Sequence, residues 1–314
     1  MIRNRMAIFL VALLALATPS VAQKRIALTF DDVPRHPGAF FTPDERTAEL
    51  IAALDRAGVE QAAFFVTTGN LDEPFGAGGE ERIAAYVAAG HVIANHSQRH
   101  LWLHRTPAED YVADLDRASA WLSGRPGYRP WFRFPYLDEG REDVVRRDAL
   151  RAALRGRGLS NGYVTVDTYD WFIENLVNES TAAGRTVDRD GLRDLYVESV
   201  VGAANFAEAM AVETLGRSPA HVILLHETDI AALFIDDAVT ALRADGWEIV
   251  TADEAFSDPI ASIEPDTTFL GAGRIAAIAH ARGTPAARLV SPWTEEAVLT
   301  RLFAERVLHQ TVAP

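Results

Sequence analysis

Five short stretches of this chain carry side chains able to do acid–base or metal chemistry. Asp31 and Asp32 stand together in LTFDDVP, where an apolar run ends. His96 and His100 lie four apart in HSQRH, with His104 four further on. Arg133 sits between aromatic groups in FRFPY, Asp167 and Asp170 belong to DTYDW, and His226 closes ILLH. Two adjacent like charges repel. The Asp pair is therefore either a turn or helix cap at a strand end or a division of labour. If one carboxylate binds a cation, its charge is neutralised and the neighbour is left free as a base.

On a helical turn, an i, i+4 spacing points both imidazoles the same way, which suits a divalent metal; surface or capping histidines share that spacing. His104 extends the series to i+8 and offers a third nitrogen. A carboxylate arriving from another strand end makes a His₂–Asp site with positions open for water, the arrangement of a hydrolytic metal, and the Asp pair can supply it. A guanidinium among aromatic rings needs an acidic partner. Pairing of Arg133 with Asp31 or Asp32 would hold that carboxylate in place; an ordinary structural salt bridge is the competing reading. His226 is either a packed, hydrogen-bonded residue or, with Asp167 or Asp170 raising its pKa, a general acid. Trp171 reads as a sugar-stacking platform or as core.

The elements that must position these groups alternate. Candidate strands are RIALTF (25–30), QAAFFV (61–66), HVIANH (91–96), WFRF (131–134), GYVTVD (162–167), HVILLH (221–226) and WEIVTA (247–252). Most are continuously apolar, as parallel strands buried on both faces are. Helical patterns lie between them. The first has Thr42 as N-cap, Pro43 in the first turn, Glu45 completing a capping box and Gly58 as stop; others run near 79–89, 107–122, 142–156, 188–215 and 230–244. Alternation predicts a parallel sheet, and seven units over about 230 residues favour a closed or nearly closed barrel. Functional groups of such barrels collect at the C-terminal strand ends, where Asp31, Asp32, His96, Arg133, Asp167, Asp170 and His226 all fall. Their convergence says more than any one of them.

Composition sets limits. The 314 residues are 48% hydrophobic and 24% charged, with a net charge of −14 and no cysteine. Thiolate metal sites and cysteine nucleophiles are thereby excluded. Arg3 and Arg5 precede the apolar stretch Met6–Ala17, and Ser20 and Ala22 form a small-residue cleavage pattern, so residues 1–22 read as an export signal too short to span a bilayer comfortably. Without those two arginines, 28 basic residues face 44 acidic ones, a net −16. Such a surface repels nucleic acid and anionic lipid. The expected location is periplasmic or secreted, with no membrane attachment once the signal is cleaved.

TFDD, HSQRH, RFPY, DTYDW and LLH occur in the order and approximate spacing of the five motifs of the polysaccharide deacetylases, carbohydrate esterase family 4 of NodB type, and from about Arg25 to Phe256 the chain resembles that family. The resemblance implies an α/β fold, a deformed (β/α)7 barrel of parallel strands. It implies a divalent metal, usually zinc with cobalt or another ion possible, on Asp32, His96 and His100. Asp31 would be the base with Arg133 its anchor, and His226 the acid tuned by Asp170. The Tyr136 N–H would hold the oxyanion, Leu224 would wall the acetyl pocket, and Trp171 would line the groove. The implied activity is removal of acetyl groups from N-acetylated sugars of a polysaccharide or oligosaccharide.

Two positions depart from the family pattern: Val33 stands where glycine is frequent, and Phe134 where proline is. The excursion between Trp171 and the HVILLH strand would cover one side of the cleft. Residues 23–257 form the expected catalytic domain. In 258–314 a linker leads to a capped terminal helix that docks on the barrel, and no chemistry is expected of it. An O-acetyl esterase or a non-sugar amide hydrolase on the same site, and a non-catalytic glycan-binding module, are the alternatives.

Overall fold

A computed structural model describes residues 23–311; the export signal read in residues 1–22 lies outside them. Seven parallel strands form the core: β1 (Lys24–Val33), β2 (Ala63–Val66), β3 (Val92–Asn95), β4 (Tyr128–Phe132), β5 (Ser160–Asn161), β6 (Ala220–His226) and β7 (Trp247–Ile249). Among the described residues ten α-helices surround them: α1 (Pro43–Arg56), α2 (Gly79–Ala88), α3 (Ala108–Leu122), α4 (Val144–Gly156), α5 (Asp170–Ala182), α6 (Arg189–Leu215), α7 (Asp229–Ala244), α8 (Ala252–Ala255), α9 (Arg274–Ala281) and α10 (Glu296–Arg306). No described helix is long and apolar enough to cross a membrane.

The strand order is β5-β4-β3-β2-β1-β6, with β7 on the start of β1. GYVTVD is mostly not a strand. It follows the two-residue β5 as extended chain that bridges β6 at Val166 and Ile223, with the Leu224 N–H donating to the Val166 carbonyl at 2.9 Å. That segment curls the sheet round toward closure, giving the deformed (β/α)7 barrel. The WFRF strand starts three residues earlier than expected and ends two residues earlier, at Phe132, so Arg133 stands just past its end.

The first helix forms as its sequence dictates. Thr42 Oγ1 accepts the Glu45 N–H and the Glu45 carboxylate accepts the Thr42 N–H, a reciprocal cap worth about 1 kcal/mol. Its Leu50 and Leu54 enter a large core cluster with Phe30, Phe64 and Ile223. Val33, whose presence in place of glycine is unexplained by sequence, is fully buried in that cluster and pairs with Val66.

The register of β1 against β2 slips at one place. Phe30 faces Phe64 and Val33 faces Val66, so β1 spends three steps where β2 spends two. The extra residue is a bulge at the Asp pair, a device that re-aims side chains at strand ends.

The loop after this bulge is clamped from below. Buried Arg46 donates to the carbonyls of Arg35 at 2.7 Å and His36 at 2.8 Å, and Glu227 accepts the Arg35 N–H at 2.8 Å. Asp229 accepts the N–H groups of Phe40 and Phe41. Gly38 lies so close to Asp229 and Glu174 that a Cβ there would overlap both carboxylates. Glu227 and Asp229 lie one and three residues after His226, so one buried network sets the ends of β1 and β6 relative to each other.

Candidate active site

Asp31 and Asp32 are neighbours, and an undistorted strand would send them to opposite faces. The bulge, with Asp32 at a left-handed φ of 67° that aspartate tolerates, turns both toward one cleft. Asp31 is buried. Its Oδ1 accepts from Arg133 Nη1 at 2.7 Å, and the same nitrogen donates to Thr29 Oγ1 at 2.7 Å. Arg133 Nε donates to the Gly162 carbonyl at 2.7 Å, and the guanidinium carbon lies 3.8 Å from the centre of the Phe65 ring. The carboxylate partner expected for Arg133 is thus Asp31, and its orientation is fixed by a fully buried cation.

Asp32 Oδ1 lies 3.1 Å from His100 Nε2 and 3.6 Å from His96 Nε2, while Oδ2 accepts from Arg35 Nη1 at 2.8 Å. One ligand atom from each of Asp32, His96 and His100 falls within 4.8 Å of the others. His96 Nδ1 sits 3.0 Å from the Arg133 carbonyl, which takes the ring proton there and leaves Nε2 bare toward the carboxylates. Burial lowers the His100 pKa to about 4 against the pull of Asp32, so the ring is a neutral ligand at neutral pH. Burial alone would raise Asp32, but His100, Arg35, His226 and His96 hold it well below the usual carboxylate range. One carboxylate and two imidazoles with convergent ligand atoms are a donor set that fits a divalent ion with open positions.

The histidines do not converge for the reason their spacing suggested. Residues 96–102 form a loop, not a helical turn: Ser97 and His100 have φ of 69° and 54°. The His100 N–H is held by Ser97 Oγ at 3.0 Å, and Asp114 accepts the N–H groups of Gln98 and Arg99. His104 is not a third ligand. Its Nδ1 lies 2.8 Å from Asp138 Oδ2, and its Nε2 accepts from Arg105.

Across the cleft, His226 ends β6, directly opposite Asp31 in the β1–β6 register. Of the two candidate partners, Asp170 is the one that holds it, through both ring and backbone. Burial by itself lowers the His226 pKa; Asp170, with Asp32 adding to it, outweighs burial and raises it. Asp167 makes no such pair. It stays on the cleft wall, where burial pushes its carboxyl up to about 7. Tyr136 has a left-handed φ of 59°, and its N–H has no acceptor among the described residues. The Leu224 and Trp171 side chains line the same cleft.

The cleft has a volume of about 560 Å³. Six of its lining residues escaped the sequence reading: Arg35, Trp102, Leu137, Tyr169, Gly271 and Glu296. Arg35 and Trp102 each lie within three residues of a ligand candidate, a signal that was available. Trp102 stacks on Tyr136 with centroids 3.6 Å apart and planes 1° apart, beside His100. Gly271 and Glu296 belong to the segment after Ser257, of which no chemistry was expected, and both stand on the wall of the cleft. Nothing in their local sequence announces this.

The family profile described as polysaccharide deacetylase matches residues 18–156. A chitooligosaccharide deacetylase of Bradyrhizobium sp. (strain ANU 289) is 30% identical over 167 residues, covering 52% of this chain and 67% of that protein. A peptidoglycan-N-acetylglucosamine deacetylase of Listeria monocytogenes is 25% identical over 240 residues, covering 76% of this chain and 40% of the other. Among solved structures, a mutant of a CE4 family pseudoenzyme from Bacillus anthracis aligns with a TM-score of 0.50 at 18% identity, over 75% of this chain and 68% of its own. This last likeness concerns the fold alone.

Proposed function

The chain belongs to the polysaccharide deacetylase family, and we propose that it is a metal-dependent hydrolase that removes acetyl groups from N-acetylated sugars of a glycan or oligosaccharide. The observation that carries this reading is a single cleft holding a carboxylate and an imidazole on opposite strand ends, Asp31 anchored by Arg133 and His226 anchored by Asp170, beside the convergent Asp32, His96 and His100. Two aromatic faces, Trp102 stacked with Tyr136 and Trp171 beside Tyr169, suit the apolar C–H faces of pyranose rings.

In this reading Asp32, His96 and His100 hold the ion, zinc being the one such a donor set suits. Bound there, it supplies Lewis-acid polarisation of an acyl oxygen and of a water. Asp31 takes the proton of the attacking water, and Arg133 keeps its free oxygen aimed at the cleft. The Tyr136 N–H donates to the acyl oxygen as charge develops on it. Protonated His226 delivers its proton to the departing amine nitrogen. Leu224 walls the acetyl methyl, and Trp171 bounds the groove. Residues 23–257 act as the catalytic domain, and the N-terminal Arg3, Arg5 and Met6–Ala17 pattern supports export to the periplasm or beyond.

The test is acetate release from N-acetylglucosamine oligomers, measured before chelation, after chelation and after zinc is restored. Release that disappears and returns supports the reading. Acetate from acetylated xylan or aryl acetates alone replaces it with an esterase, and glycan binding without acetate replaces it with a binding module.

A further inference from the structure

The segment beyond the barrel is latched to the cleft wall that carries Asp170 and Trp171. The Arg274 N–H donates to the Val164 carbonyl at 2.7 Å, three residues before Asp167. Arg147 and Arg151 of α4 donate to the carbonyls of Thr267 and Pro265 at 3.0 and 3.1 Å. Further on, the Asp188 N–H donates to the Val307 carbonyl at 3.1 Å. Leu299 and Phe303 of α10 are buried in the same apolar cluster as Ile173 and Val177 of α5, the helix that begins at Asp170. These contacts fix the start of α10 at the mouth of the cleft.

Glu296, the first residue of α10, lines that mouth together with Tyr169 and Trp171. The two rings are 5.2 Å apart and tilted by 49°. Glu296 is exposed, and among the described residues its carboxylate pairs with no cation. An ionised carboxylate only accepts hydrogen bonds, and the rings beside it present apolar faces. A sugar unit next to the one being deacetylated brings the complement of both: hydroxyl donors on its rim and an apolar C–H face.

We propose that Glu296, with Tyr169 and Trp171, forms a subsite for the neutral sugar unit adjoining the deacetylated one, so that this chain's C-terminal segment selects saccharides of two or more units. The subsite rests on the deacetylase reading for the identity of the reacting unit.

The experiment compares Glu296→Ala, Glu296→Gln and a Glu295→Gln control on N-acetylglucosamine and its tetramer, with zinc present. Expected is a rise in the ratio of tetramer to monomer KM of about tenfold for Glu296→Ala, the worth of one charge-assisted hydrogen bond. A smaller rise is expected for Glu296→Gln, which keeps one acceptor oxygen, with kcat on the tetramer within about twofold of wild type. Glu295→Gln leaves the ratio unchanged. A ratio unmoved by Glu296→Ala, or a loss confined to kcat, overturns the subsite. Tetramer affinity is measured in parallel by calorimetry on the Asp31→Asn background, where turnover plays no part. If no saccharide yields acetate but Glu296→Ala still weakens tetramer binding about tenfold, the deacetylase reading falls and the subsite stands. If the tetramer binds equally well with and without Glu296, or not at all, the subsite falls.

Discussion

Asp170 grips His226 at two points. One carboxylate oxygen accepts the His226 backbone N–H at 2.7 Å, and the other lies 2.7 Å from Nδ1. The contact assigns a proton to Nδ1 in both charge states of the ring, so the titrating position is Nε2. Asp170 is fully buried at the start of α5.

The pH dependence follows from that pair. Burial lowers the His226 pKa and Asp170 more than reverses it. A general acid works only while protonated, so with His226 in the proposed role activity should hold below the raised pKa and be lost as pH climbs through it. Asp170→Asn removes the raising charge. The alkaline limb of kcat/KM should move to lower pH, and the rate above neutrality should fall by about 10²-fold or more. A pH–rate profile with an unmoved alkaline limb would rule out His226 as the acid.

Metal binding should separate two histidines that look alike in sequence. His100→Ala removes a convergent donor and should abolish stoichiometric zinc, measured by elemental analysis after dialysis. His104→Ala breaks only the contact with Asp138 and should leave zinc content intact. Loss of zinc in the second variant would mean that the ligand set is wrong.

Arg133→Met leaves Asp31 buried and uncompensated, and should cost about 3–5 kcal/mol in denaturant unfolding. Adding Asp31→Asn removes the stranded charge, so the double variant should recover a good part of the stability. Acetate release should stay about 10²- to 10⁴-fold below wild type in both, because no base is held in the cleft. Recovery of activity together with stability would show that the pair is only structural.

Glu174 offers a stability test away from the chemistry. Burial, with Asp229 adding to it, raises its carboxyl from the ordinary 4.5 to about 7. A raised carboxyl favours the folded state while protonated. That contribution is complete below about pH 4.5 and is lost as pH rises through about 7. Glu174→Gln should flatten unfolding free energy across this window, by on the order of 3 kcal/mol. Parallel pH curves for the two proteins would contradict the shift.

Much of the architecture was legible because it is local. Continuous apolar runs marked buried parallel strands, and the Thr42–Glu45 box marked a helix start within one residue. GYVTVD misled for a physical reason. Its apolar alternation is satisfied by packing and by a single bridge to β6, without a continuous ladder. The convergence of His96 and His100 was anticipated from helical periodicity, yet it comes from left-handed residues stabilised by Ser97 and Asp114, which periodicity does not encode.

The sequence by itself determined which residue types were available: two carboxylates at one strand end, two histidines at another, an arginine and a histidine at two more, and no thiol. Their order along the chain was enough to mark the family resemblance. Only the tertiary structure decided how they are paired. Asp31 turns to Arg133 and Asp32 to the histidines because a one-residue register slip in β1 overrides strand alternation. Asp170, not Asp167, meets His226 because α5 begins there with its carboxylate against the end of β6. Glu296 reaches the cleft from a segment with no chemical signature because burial of Leu299 and Phe303 against α5 brings it there. Spacing along a chain encodes periodicity, whereas these contacts depend on loops and packing between residues far apart in sequence.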